Sequence, residues 1–109
     1  MSRHPQIEVI VQELYTGLQA LYGERLAQVI LYGSQARDEA EPDSDIDVMI
    51  VVESPLDRSA EMERTSRLVA ALSLKYDVVI TPIIISSQQY QRDNQALIRN
   101  VRKEGRVLS

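Results

Sequence analysis

A chain of 109 residues, 44% hydrophobic and 26% charged, has the length and composition of one soluble domain with a single core, residues 1–109. Cysteine is absent and His4 is the only histidine, which excludes disulfides, thiolate metal sites and a serine–histidine catalytic unit within one chain. A net charge of −4 argues against a general grip on nucleic acid, and no membrane-length apolar run or basic-then-apolar leader is present, so a cytoplasmic protein is expected.

Residues 5–21 are predicted as an amphipathic helix. Ile7, Ile10, Val11, Leu14, Leu18 and Leu21 fall on one face, Pro5 suits the first turn, and Tyr22-Gly23 ends it. Residues 26–32 form a short apolar strand that stops at Gly33. Ser34 is then placed to cap a short helix through Arg37. A helix start after glycine presents free N–H groups to an anion. Residues 38–44 are a loop, and the span 38–47 holds six acids and no base.

The second strand, residues 45–52, is apolar apart from Asp45 and Asp47, and is predicted to lie centrally. Side chains alternate along a strand, so the two aspartates share one face and Ile46, Val48 and Ile50 share the other. Two like charges so close repel, and keeping both ionised calls for a cation between them. A hard ion with oxygen ligands, Mg²⁺ above all, suits that place and usually brings phosphates with it.

Residues 57–74 are predicted as a second amphipathic helix, with Met62, Leu68, Val69 and Leu72 inward and Glu61, Arg64 and Arg67 outward. Residues 76–85 are a third strand with Asp77 near its start. Pro82 removes an N–H and so places this strand at an edge or a bulge. Ser86-Ser87 caps a short turn through Tyr90. Residues 94–104 form a last helix with Leu97, Ile98 and Val101 apolar, ending at Gly105, and residues 106–108 add a short strand or dock a partner. Five bases stand against two acids over residues 92–106. They read as a solvated helix face, with docking to an acidic partner as the alternative.

Gly33-Ser34, ten residues, then Asp45-Ile46-Asp47 resembles the signature of the nucleotidyltransferase superfamily that includes DNA polymerase beta. The words from Leu31 to Arg37 and from Pro42 to Val51 resemble its minimal members, which are often encoded beside a HEPN-domain partner as toxin–antitoxin pairs. Two positions depart from that pattern: Gln35 stands where relatives often have arginine, and Asp38 where they commonly have glycine.

The resemblance implies an α/β (α+β) fold, a small mixed sheet of about four strands with helices packed on it. It implies Mg²⁺ at a two-metal site on Asp45, Asp47 and Asp77, with ATP as donor. Gly33 and Ser34 would hold the outgoing phosphates, and Arg37 would reach them or pair with a loop acid. AMP would pass to a tyrosine of a HEPN ribonuclease toxin, which makes the chain an antitoxin in a hetero-oligomeric complex. Two other classes stay open on the sequence. One is a non-catalytic module that neutralises its partner by occlusion. The other is a transferase acting on a small molecule, like the aminoglycoside enzymes, whose acceptor pocket a chain of this size would build only across a dimer. A receiver-like domain is a third reading, but it leaves the Gly-Ser element without a role.

Overall fold

The computed structural model describes residues 6–33, 45–53 and 57–108. Helix α1 (Ile7–Tyr22) leads through a 3-10 turn (Gly23–Arg25) into β1 (Leu26–Tyr32). Then come β2 (Ile46–Val52), α2 (Arg58–Tyr76), β3 (Ile80–Ser86), α3 (Ser87–Arg92), α4 (Ala96–Glu104) and the two-residue β4 (Arg106–Val107). The strands form one sheet in the order β3-β2-β1-β4. β1 runs antiparallel to β2 and β4, whereas β2 and β3 are parallel, so the sheet is mixed as expected.

Alternation along the strands divides the core in two. Val29, Leu31, Ile46, Val48, Ile50, Val52, Ile80 and Ile84 face α1 and α2, where they meet Ile10, Leu14, Leu18 and Leu72. The opposite face carries Ile30, Met49, Val51 and Ile85, covered by Ile98 and Val101 of α4, with Tyr32, Ile83 and Tyr90 at its margin. β2 is interior because both its faces are covered, which its apolar composition had required. β3 is an edge strand, as Pro82 had indicated. Ser86 caps α3, accepting from the Gln89 N–H at 3.1 Å, and the C-terminal residues do add a strand beside β1.

The second helix differs most from its predicted face. Asp57 caps it, accepting from the Ala60 N–H at 3.2 Å. Glu61 is then 2% exposed and Thr65 is fully buried, while Met62 is 43% exposed. Leu68, Val69 and Leu72 pack inward as predicted, while Glu61 and Thr65 take the place expected of Met62. Polar partners contributed by other elements make this face burial-competent. The Arg25 guanidinium reaches the Glu61 carboxylate at 2.9 Å, and the Tyr22 and Thr65 hydroxyls lie 2.8 Å apart. A buried carboxylate is tolerated only when so paired. The same shift applies in α1, where Tyr22 is buried and Leu21 is 37% exposed, and in α4, where Leu97 is 41% exposed.

Candidate active site

The site is built where β1 ends and β2 begins. Antiparallel pairing sets Tyr32 against Asp47, and Gly33 follows at once. Gly33 takes φ +74°, a left-handed conformation that costs glycine little and other residues more. It is also in contact range of Asp47: a Cβ built there would stand 2.5 Å from Asp47 Oδ2. The missing side chain thus opens the space in which the Asp47 carboxylate lies.

Asp47 lies on β2 and Asp45 just before its first residue, where alternation continued one step puts the two on one face; Asp45 is exposed and Asp47 half-buried. Burial, and then the neighbouring Asp45 charge, push the Asp47 carboxyl above the usual aspartate range. The Tyr32 phenol is raised too, first by burial and then by Asp47. Tyr32 therefore belongs to the site, although it was read only as the last residue of an apolar strand. The missed signal was register: the residue before the glycine lies opposite the second aspartate.

Two neighbouring carboxylates, one of them raised by burial and then by the charge of the other, form a donor set that fits a hard divalent cation. The fit extends to two protein ligands. Among the described residues no three of His, Asp, Glu or Cys are grouped so as to hold one ion.

Asp77 accounts for that difference. The sequence pattern puts it near the start of the third strand, but the strand begins at Ile80. Asp77 instead ends α2 in a left-handed conformation (φ 54°, ψ 53°), exposed, with its backbone N–H donating to the Ser73 carbonyl. Aspartate is among the few non-glycine residues that take this conformation readily. Asp77 lies at the same end of the sheet as Asp45 and Asp47, two residues before Val79, whose carbonyl accepts from the Ile46 N–H at 2.8 Å. It is not part of the β2–β3 ladder. Ser34, Arg37 and the acidic loop 38–44 lie outside the described residues.

The basic C-terminal stretch is not one uniform face. Arg106 makes a bidentate contact with Glu8 of α1, at 2.6 and 2.8 Å, and Arg102 stacks over the Tyr90 ring at 5.1 Å.

A mixed sheet that sets paired aspartates beside a left-handed glycine at the end of the neighbouring strand defines the nucleotidyltransferase class of α/β proteins. Comparison with known families agrees. The model of the nucleotidyltransferase domain family matches residues 11–108, and the chain belongs to that family. A protein of Methanocaldococcus jannaschii named "Putative protein adenylyltransferase" is 36% identical over 102 residues, covering 93% of this chain and 96% of its own.

Among solved structures, the chain resembles a complex of a tri-AMPylated Shewanella oneidensis HEPN toxin with its MNT antitoxin. The TM-score is 0.63 at 19% identity, over 94% of this chain and 71% of that one. A toxin–antitoxin complex with AMP-PNP gives 0.63 at 20% identity, over 90% and 72%. At these identities the likeness concerns the fold.

Proposed function

We propose that the chain is a protein adenylyltransferase. It moves AMP from ATP to a tyrosine hydroxyl of a HEPN-domain ribonuclease partner, and so acts as the antitoxin of that pair. The observation that carries the reading is the Asp45–Asp47 pair on one face of β2, with the Asp47 carboxylate seated against Gly33. The names of the relatives supply the direction of the chemistry: a protein adenylyltransferase in sequence, an AMPylated HEPN toxin beside the antitoxin in fold.

In this reading Asp45 and Asp47 would hold Mg²⁺, which when bound would neutralise charge on the donor phosphates and lower the pKa of the attacking hydroxyl. The Gly33 turn holds the outgoing phosphates, with Ser34 and Arg37 assigned to the same task by the family pattern. The acceptor oxygen bonds to the α-phosphorus as the bond from phosphorus to the α–β bridging oxygen breaks. Pyrophosphate leaves with that electron pair, and the acceptor's proton passes to solvent. Catalysis is then mainly positioning and charge balance. Asp77 is left out of the ligand set, because among the described residues no three acids are grouped so as to hold one ion.

The test is incubation with ATP labelled at the α-phosphate, Mg²⁺ and the HEPN-domain protein that co-purifies with the chain. Label on a partner tyrosine that disappears with Asp45→Asn and with Asp47→Asn is the expected result. Neutralisation of the partner without label, unchanged in both variants, overturns it in favour of occlusion.

A further inference from the structure

Resting on that reading, we propose that the acceptor enters across the outer face of β3, and that Thr81 is a positioning residue for its hydroxyl, with Val79 seating its ring. Toward β1 the space is taken: Asp47 Oδ2 is against Gly33, and half-buried Tyr32 stands opposite Asp47. Behind β2, Ile46 and Val48 are fully buried beneath α1 and α2. Further along the same face, α4 covers Met49 and Val51.

The β3 side is open. Parallel pairing sets Thr81 against Asp47. Alternation places Thr81 on the aspartate face, since Ile80 and Ile84 point into the opposite core. Neighbouring strands are about 4.8 Å apart, so the Thr81 hydroxyl is within one water or one substrate atom of the Asp47 carboxylate. Thr81 is exposed, and Val79, which continues the alternation one step toward Asp45, is 57% exposed. Among the described residues no strand pairs with the outer edge of β3.

Reaction geometry selects this side for the acceptor. Phosphoryl displacement has attacking and leaving oxygens roughly in line. With the leaving pyrophosphate at the Gly33 turn, the attacking hydroxyl comes from the opposite flank of β2, which is β3. An uncharged hydroxyl there orients an attacking O–H without adding a third negative charge. An exposed valine beside it suits an aromatic ring better than a sugar or an ammonium group.

The test uses the full chain, the co-purified HEPN-domain partner, and ATP with Mg²⁺. Thr81→Val keeps shape and strand propensity at an exposed position and removes only the hydroxyl. It is expected to lower kcat for partner modification about tenfold, the loss of one directing hydrogen bond. Affinity for AMP-PNP, measured by calorimetry, is expected to be unchanged, and Thr81→Ser is expected to restore kcat. Val79→Asn, which removes the apolar seat without adding a charge beside Asp45, is expected to raise KM for the partner about tenfold while leaving KM for ATP within twofold. Wild-type rates in both Thr81→Val and Val79→Asn overturn the proposal alone. Loss of AMP-PNP affinity in Thr81→Val also overturns it, by moving Thr81 to the donor side. A wild-type chain that labels no protein overturns the adenylyl-transfer reading and this proposal with it.

Discussion

Replacing Asp47 by asparagine is expected to make the metal-free protein more stable while removing its activity. Residues i and i+2 of a strand are about 6.6 Å apart. Two unit charges at that distance repel by about 0.6 kcal/mol in bulk water and about 2.5 kcal/mol at the effective dielectric of a protein surface. Asp45 is exposed and Asp47 half-buried, so about 1 kcal/mol is the expected relief. For a domain of this size that corresponds to a rise in Tm of about 4 °C.

The pH dependence follows from the direction of the Asp47 shift. Its carboxyl is raised in the folded state, so the folded chain binds the proton more tightly than the unfolded chain does. Below the ordinary aspartate value, about 4, the group is protonated in both states and the substitution has no electrostatic effect. The penalty in the wild type grows as pH rises from there through the raised folded value, and is constant above it. Thermal melts of wild type and Asp47→Asn at pH 3 and pH 7.5, in chelator, measure this directly. Adding Mg²⁺ is expected to reverse the order, because a cation at ten times its Kd stabilises the wild type by about 1.4 kcal/mol and the variant by less. An Asp47→Asn protein that melts lower than wild type in chelator at pH 7.5, or whose gain is the same at pH 3, refutes the reasoning.

Two further substitutions probe the features that sequence reading placed differently. Arg25→Met leaves the Glu61 carboxylate, only 3% exposed, with Arg64 at 3.5 Å as its remaining cation; it is expected to cost about 2–3 kcal/mol in urea unfolding, part of which Glu61→Gln in the same chain recovers. Asp77→Gly is expected to raise stability slightly, by up to about 1 kcal/mol, because glycine takes the left-handed turn more readily than aspartate. It is also expected to leave nucleotide-dependent modification within a few-fold of wild type; a complete loss of activity would return Asp77 to the ligand set.

Much of the architecture was legible in the chain because it is written in local patterns. β1 matches the predicted bounds 26–32, and β2 starts one residue inside the predicted 45–52. Period-two alternation put Asp45 and Asp47 on one face. Pro82 announced an edge strand, and Ser86 the cap that follows it, though the expected turn through Tyr90 is a short helix. These features depend on backbone sterics and on spacings of a few residues, which any short window of sequence carries.

Only tertiary structure decided the rest. Glu61 reads as a solvated charge until Arg25, thirty-six positions earlier, arrives beside it. Asp77 reads as the first acid of a strand, yet α2 continues to Tyr76 and uses it as a left-handed stop. Tyr32 and Thr81 gain a place beside Asp47 solely through strand register, one from an antiparallel neighbour and one from a parallel neighbour. A one-residue slip in either pairing would turn that strand's residue away, and register is fixed by how three strands share a core rather than by any of them alone. The sequence determined that two carboxylates face the same way; the assembled sheet determined what stands on either side of them.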